Sequence, residues 1–276
     1  MVELLISTVD CENYEELLKK INVRTNAIIT NQSDKTSYME YDFNGNRVDI
    51  YSLNKKGVGL NRNNCLFFSK DEICVLTDDD MYYVDEYEKL IENAFRENSE
   101  ADVLIFNLQE KNGSRYKIKK SFYINKLNYT KFGAARIAFK KESILKKRIT
   151  FSLLFGGGAK HSAGEDTLFL HDCLRSGLVI KAVPITIATL DDSSESTWFK
   201  GYNEKLLKDV GACYSEIFKR TFFLRSLYYT LRRRKSYKDN NITFLQCMKL
   251  IYQGAKEFRI GGKGKKNSTK NNFLQG

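Results

Sequence analysis

The stretch Ile73-Cys74-Val75-Leu76-Thr77-Asp78-Asp79-Asp80 decides how this chain is read. A short, mostly apolar run ends abruptly in three consecutive carboxylates. Such a run reads as a buried strand, and in open α/β sheets ligands bind outside the carboxyl ends of the strands. Three adjacent carboxylates repel one another, so a compact fold keeps them together in water or around a cation. A hard divalent cation holding a diphosphate suits an all-oxygen donor set. Taken alone, the triplet reads better as a solvated acidic turn before a helix, because Asp is also a good N-cap.

Working outward, the flanking segments alternate between strand and helix patterns. Leu4 to Val9 is a continuous apolar run, as expected for a central parallel strand. Asn13-Tyr14-Glu15-Glu16 has the form of a capping box. Tyr14, Leu17, Leu18 and Ile21 then mark one face of an amphipathic helix. Ala27 to Thr30 reads as a second strand and Val48 to Tyr51 as a third. Gly57-Val58-Gly59 is a turn into a helix over 61–69. After the carboxylates, Tyr87, Leu90, Ile91, Ala94 and Phe95 form the apolar stripe of another helix, followed by a strand over 102–108. This βαβαβ alternation predicts a mostly parallel sheet with crossover helices. Residues 110–140 read as antiparallel strands or a hairpin, with a strand over 135–139. Leu153 to Gly158 reads as a loop, 164–175 as a helix closed by Gly177, and 178–188 as a last strand.

Composition narrows the class. The chain has 276 residues, of which 42% are hydrophobic and 29% charged, enough for one large α/β domain plus an appendage, or for two domains. No apolar run approaches the roughly 20 residues needed to span a bilayer. Leu4-Leu5-Ile6 follows Glu3 without a basic flank, so it reads as a strand rather than a signal peptide, and a cytoplasmic location is expected. The six cysteines are scattered, with no CxxC pair, and read as thiols rather than zinc ligands. The net charge of +11 is concentrated: residues 218–238 hold eight Lys and Arg and no acid, and without them it would be +3.

Four sequence-distant segments thus fall at loop edges of one predicted sheet: Ser7-Thr8, Asn31-Gln32-Ser33, Arg62-Asn63 and Asp78 to Asp80. A fifth, Gly164-Glu165-Asp166, opens a later helix. At these residues the chain resembles family 2 glycosyltransferases of the nucleotide-diphosphate-sugar-binding (GT-A) fold, and among them bacterial transferases that assemble capsular or other surface polysaccharides. Three motifs carry the resemblance. Leu76-Thr77-Asp78-Asp79-Asp80 matches the DXD-type metal motif. Asn61-Arg62-Asn63, about fifteen residues earlier, matches the Arg-Asn helix. Gly164-Glu165-Asp166-Thr167-Leu168-Phe169 matches the Gly-Glu-Asp segment with an aromatic three residues after the Asp. Order and spacing match over residues 4 to about 190.

The resemblance implies an inverting transferase that takes a sugar from a nucleotide-diphosphate sugar, with UDP as the expected nucleotide, and delivers it to a saccharide acceptor, lipid-linked in this setting. It implies a catalytic domain over 1–204, with a nucleotide-sugar half to about 108 and an acceptor half beyond. Asp166 is the implied general base, with Glu165 shaping the acceptor side. Ser7, Thr8 and Val9 approach the nucleotide through backbone and hydroxyl. Asn31 and Gln32 stand where many members carry an acidic residue on the base, and their amides would pair with a uracil edge. Arg62 would touch diphosphate or base. Asp78 would face the ribose or the metal. The Mn²⁺ or Mg²⁺ ligand pair has two registers: Asp79 by alignment on the following helix, or Asp78 with Asp80 as a literal D-x-D. Asp191 and Asp192 lie where some members place a third ligand, often His, and no His follows. His161, and Trp198 on a polar loop, are candidates for the acceptor side.

From about residue 205 the pattern is helical to 258, followed by a Gly/Lys/Asn-rich tail over 261–276 that reads as disordered. The basic segment 218–238 interleaves six aromatics with its eight cations. It reads either as an amphipathic helix lying on an anionic membrane surface or as a helix packed on the domain with solvated arginines. A processive synthase would need transmembrane helices and usually a Gln-x-x-Arg-Trp motif, which the sequence lacks. A sugar-phosphate nucleotidyltransferase would open on a Gly-rich loop, and Leu4 to Asn13 has no glycine. The competing class is a basic protein that binds membrane or nucleic acid without catalysis, its carboxylates incidental.

Overall fold

The computed structural model describes residues 1–110, 116–191 and 201–266, with side chains to residue 261. The chain divides into two compact units, one formed by 1–154 with 165–195 and the other by 155–164 with 196–276.

In the first unit the described elements run β1 (Val2–Val9), α1 (Tyr14–Ile21), β2 (Asn26–Gln32), β3 (Ser37–Phe43), β4 (Asn46–Leu53), α2 (Val58–Phe68), β5 (Ile73–Asp78), β6 (Met81–Tyr83), α3 (Tyr87–Glu97), β7 (Val103–Glu110), β8 (Phe122–Tyr123), β9 (Ile137–Lys140), α4 (Lys141–Lys146), α5 (Glu165–Arg175) and β10 (Ile180–Leu190). The strands form one sheet in the order β3-β4-β2-β1-β5-β9-β7-β10-β6, with β8 also paired to β10. β1 lies parallel between β2 and β5, β2 is parallel to β4, and β7 is parallel to β10. β9 runs antiparallel between β5 and β7. The sheet is therefore mixed, with a mostly parallel body flanked by helices. Val2 to Thr8 are buried without alternation because both faces of β1 are covered. Register sets Ser7 beside Asp78 and Thr8 beside Asn31, so the polar strand ends line up in one row.

Local chemistry accounts for most of these elements. Asn13 caps α1 by accepting from the Glu16 N–H at 3.1 Å. Glu16 answers on the Asn13 side-chain amide at 3.3 Å rather than on its backbone. Leu17, Leu18 and Ile21 bury the predicted face. β3 and β4 form a hairpin where the sequence suggests one strand. Its turn, Asn44-Gly45, has φ of +55° and +81°, as a type I′ turn requires. β3 hides from hydrophobic pattern analysis because it is a solvent-facing edge, exposed along most of its length. β6 is a second short strand missed by that pattern; Asp79 and Asp80 form the turn into it. Beyond β7, which ends at Glu110, the described residues to 140 hold only the two-residue β8 and the short β9 as strands, and 111–115 lie outside the described residues. Pro184 sits exposed at the irregularity in β10 between Ala182 and Thr186, where a missing N–H costs no ladder bond.

At the amino ends of the strands lies a buried ionic network. Glu3 and Asp49 are fully buried. Arg47 bonds Glu3 at 2.7 Å and Asp49 at 3.1 Å, and Lys70 reaches Asp49 at 2.9 Å. The charges are compensated in place, as burial demands.

The second unit holds α6 (Glu204–Ile217), α7 (Phe222–Arg232), α8 (Arg234–Lys238) and α9 (Phe244–Lys266). Its core gathers Leu207, Phe222, Tyr237, Cys247, Ile251 and Ala255. α6 and α9 cross backbone to backbone. A Cβ on Gly211 would lie 1.9 Å from the Ile251 carbonyl oxygen, and one on Gly254 would lie 2.0 Å from that of Lys208. Two features revise the expected organisation. Residues 155–164 belong to this unit rather than to the sheet domain. Phe155 stacks on His161 at 4.8 Å and meets Phe258 at 5.5 Å, and Asp209 of α6 takes hydrogen bonds from His161 (2.8 Å) and Ser162 (2.7 and 2.8 Å). Burial works to raise the Asp209 pKa; the hydrogen bonds from His161, Lys205 and Ser162 outweigh it and hold the carboxyl well below its usual range. Secondly, 261–266 continues α9 as helix instead of beginning a tail, and 267–276 lie outside the described residues. Among the described residues no helix is long and apolar enough to cross a membrane.

Gly211→Ala and Gly254→Ala each force two helix backbones apart and are expected to destabilise the second unit by about 1–3 kcal/mol. Gly261→Ala, which meets nothing within 4 Å, serves as the control and is expected to be neutral or slightly stabilising. Urea unfolding of the three variants checks this.

Candidate functional site

The site grows from the amino-terminal half of α2. Gly59 lets the helix approach the chain at residue 152, where a Cβ would come 2.3 Å from the Ser152 carbonyl oxygen. Asn61 is buried and donates to the carbonyls of Thr8 (3.2 Å) and Thr30 (3.0 Å), tying α2 to the ends of β1 and β2. Asn63 clamps the Phe151 backbone in both directions, at 2.9 and 2.7 Å. Between these two amides Arg62 is 5% exposed. Its guanidinium donates to Asp78 Oδ1 and to Glu165 Oε1, each at 2.9 Å, and lies 5.7 Å over the Phe151 ring. One buried cation thus joins the end of β5 to the start of α5.

Burial pulls the Arg62 pKa down, but the charges of Asp78 and Glu165 more than reverse this, so the guanidinium is held above its ordinary value. The effect on Asp166 is opposite. Burial, and then the negative charge of Glu165, push its carboxyl up to about 7, against the pull of Arg62 and of hydrogen bonds from Thr167. Asp166 Oδ1 accepts the Thr167 N–H at 2.6 Å. A Cβ on Gly133 would come 3.3 Å from Oδ2, so bare backbone lies beside the carboxyl. The side chain keeps a partly exposed edge. Phe169, the aromatic three residues on, is fully buried and stacks on Phe151 at 4.3 Å, pinning the first turns of α5.

At the end of β1, Thr8 donates its hydroxyl to Asp79 Oδ2 at 2.7 Å. Ser7 and Thr8 are buried and Val9 is exposed. Asp80 is partly exposed, and its carbonyl accepts the Asp191 N–H at 2.8 Å. The structure therefore brings Ser7, Thr8, Arg62, Asp78, Asp79, Asp80, Glu165 and Asp166 to one end of the sheet.

Four of the expected site residues are engaged by protein partners. Arg62, expected on a diphosphate or base, forms a buried bridge between protein carboxylates. Asn31 was expected to offer its amide to a base. Its Oδ1 instead accepts from Cys11 N at 3.1 Å, while Nδ2 donates to Cys11 O (3.0 Å) and to the Tyr14 hydroxyl (2.9 Å), so it shapes the β1–α1 loop. Gln32 likewise is buried and accepts from Gly57 N at 2.7 Å, which sets the start of α2. His161 lies in the second unit on Asp209. Trp198 and Asp192 fall outside the described residues. Sequence reasoning did not find the roles of Asn61, Gly59 and Gly133. Asn61 adjoins the Arg-Asn pair, and a buried Asn beside a motif residue was the one available signal.

Among the described residues no group of three or more His, Cys, Asp or Glu side chains converges as a metal site. The donor set nevertheless fits Mg²⁺ or Mn²⁺, which bind through one or two carboxylates completed by phosphate oxygens and water. Asp78 is engaged by Arg62. Asp79 takes a neutral donor from Thr8 and forms no ion pair among the described residues.

No family model and no curated protein matches this sequence. Solved structures do. Residues 1–349 of S. aureus TarS in complex with UDP-GlcNAc are 16% identical over 78% of this chain and 66% of theirs, with a TM-score of 0.59. The same residues in complex with UDP are 16% identical over 90% of this chain and 79% of theirs, at 0.55. A further S. aureus TarS structure is 17% identical over 78% of this chain and 39% of its own, at 0.55. This chain thus spans less than two thirds of the first and third of these structures. The likeness establishes the fold: a central sheet flanked by helices, as in the S. aureus TarS structures.

The opposed influences on Asp166 give a signed expectation. Glu165→Gln removes a charge that raises the Asp166 pKa, so its titration midpoint should fall. Arg62→Gln removes one that lowers it, so the midpoint should rise. Carbon-13 NMR of the Asp166 carboxyl follows both. Arg62→Gln also strands two partly buried carboxylates and should cost about 3–5 kcal/mol of stability by urea unfolding.

Proposed function

We propose that this chain is an inverting glycosyltransferase that uses a nucleotide-diphosphate sugar, with UDP as the nucleotide. The observation that carries this is the Arg62 bridge. It holds a strand-end carboxylate, beside Asp79 and Asp80, in fixed relation to the Glu165–Asp166 pair, whose second member has a pKa near neutrality. A base working near neutral pH belongs in that range. The fold shared with TarS, solved with UDP-GlcNAc and with UDP, supports the choice of donor.

In this reading the acceptor hydroxyl gives its proton to Asp166 while its oxygen bonds to the anomeric carbon. The bond from that carbon to the diphosphate oxygen breaks, and the electron pair leaves with the nucleotide. Asp79 and Asp80 would hold the divalent cation, because Asp78 is already committed to Arg62. The cation would supply charge neutralisation for the departing diphosphate. Thr8 orients Asp79, and Arg62 keeps Glu165 and Asp78 apart from the reacting groups. The acceptor is proposed to be a saccharide, lipid-linked and destined for a surface polysaccharide; this rests on the motif resemblance.

Calorimetric titration with UDP-sugars, with and without Mn²⁺, is the decisive test, and no binding by any of them would overturn the reading. Asp79→Asn should abolish the metal-dependent part of donor binding. Asp166→Asn should leave donor binding intact and lower transfer by roughly 10²–10⁴. With the wild type, the rate should rise with pH through about 7, as Asp166 loses its proton. The sign for stability is the reverse. A carboxyl whose folded pKa is raised disfavours the folded state as pH climbs from its ordinary value through about 7. Asp166→Asn should therefore raise Tm relative to wild type at alkaline pH and not in acid.

A further inference from the structure

Helix α7 carries most of its large apolar side chains on the outside. The residues it buries are Phe222, Ser226 and Thr230, two of them small and polar. Thr230 satisfies its hydroxyl on the Ser226 carbonyl at 2.8 Å. Phe223, Leu224, Tyr228 and Leu231 are 64%, 65%, 54% and 56% exposed. With the partly exposed Leu227 they form one unbroken arc of about 140°, at roughly 100° per residue. Scattered exposed apolar residues are ordinary. A contiguous stripe filling one side of an 11-residue helix marks an interaction surface.

The stripe has a basic frame. Arg225 and Arg232 follow it along one rim, Lys219 and Arg220 precede the helix, and Arg233, Arg234, Lys235 and Lys238 follow it. No acid occurs anywhere in 218–238. Arg232 lies along the stripe itself, donating to the Tyr228 hydroxyl at 2.8 Å, with its guanidinium 6.0 Å from the ring centre.

We propose that this face of α7 docks on the surface of an anionic lipid bilayer. A bilayer satisfies both halves of the pattern at once, the apolar arc entering below the headgroups and the cations meeting lipid phosphates. A second copy of the chain would bring two like-charged frames together at the same stripe. A nucleic acid would find phosphate partners at the rim and none along the leucines, which offer neither charge nor a stacking ring. At about 1.5 Å per residue the helix lies in the interface and does not span it. The inference is independent of the proposed reaction, since its test reads binding alone.

The test uses the full chain with vesicles of phosphatidylcholine alone and of equal parts phosphatidylcholine and phosphatidylglycerol, read by co-sedimentation. Partition into the anionic vesicles should exceed that into neutral ones by roughly tenfold or more and should fall as salt is raised. The double variant Leu224→Ser/Leu231→Ser alters only exposed positions, so circular dichroism should be unchanged while anionic-vesicle binding drops roughly tenfold or more. Arg232→Ser/Arg234→Ser should erase most of the preference for anionic vesicles. No binding, equal binding to both vesicles, or full binding by the leucine variant would overturn the proposal. So would light scattering that shows a wild-type dimer made monomeric by the leucine variant, which would assign the stripe to a second copy. Oligonucleotide binding tighter than vesicle binding and indifferent to the leucine variant would assign the frame to nucleic acid.

Discussion

A guanidinium buried between two carboxylates from distant parts of the chain organises the candidate site. Arg62 meets Asp78 and Glu165 at equal distances of 2.9 Å. Burial of the cation is costly, and the two carboxylates together more than offset it, with the Phe151 face beneath. The consequence is geometric as much as energetic. A fork of fixed shape sets the separation between the end of β5 and the start of α5, and so between the acidic triplet and Asp166. It is also electrostatic. Glu165 and Arg62 push the Asp166 pKa in opposite directions, and burial leaves the balance near neutrality.

The same short stretch of α2 supports that bridge from both sides. Gly59, Asn61 and Asn63 do not pack as a helix face would. They reach backbone on three other segments, at residues 152, 8 and 30, and 151. A helix whose polar residues are buried on backbone carbonyls is held in one position, because any slip strands those groups without partners. The second unit obtains its definition differently, through Gly211 and Gly254, which let α6 and α9 touch main chain to main chain. In the first unit α2 combines hydrogen-bonding amides with one missing side chain, and in the second the crossing of α6 and α9 relies on missing side chains.

Much of this was legible in order along the chain, and the failures have identifiable causes. Strand β5, the helices α1, α3 and α5 and the motif residues Asp78 to Asp80, Arg62, Glu165 and Asp166 stood out because burial of one face, capping and charge density leave local traces. β3 left none, since an exposed edge strand need not alternate, although Asn44-Gly45 marked its turn. Asn31 and Gln32 were expected at a base from their place in the motif resemblance; in the structure Asn31 ties the β1–α1 loop and Gln32 accepts from the start of α2. Residues 155–164 could not be assigned to the helical unit, because Phe155, His161 and Ser162 meet partners many residues downstream on α6 and α9.

By itself, then, the sequence determined the class of the protein: a mostly parallel α/β sheet with acidic groups at strand ends, a second carboxylate pair at a helix start and a basic helical extension. These follow from periodicity, caps and charge, which are properties of neighbouring residues. Only the tertiary structure decided what Arg62 holds, which way the Asp166 pKa moves and which face of α7 is covered. Each depends on burial and on partners far apart in the chain. A guanidinium acquires its role from the carboxylates it meets, and a leucine stripe at helical spacing reads the same whether it faces a core or open solvent.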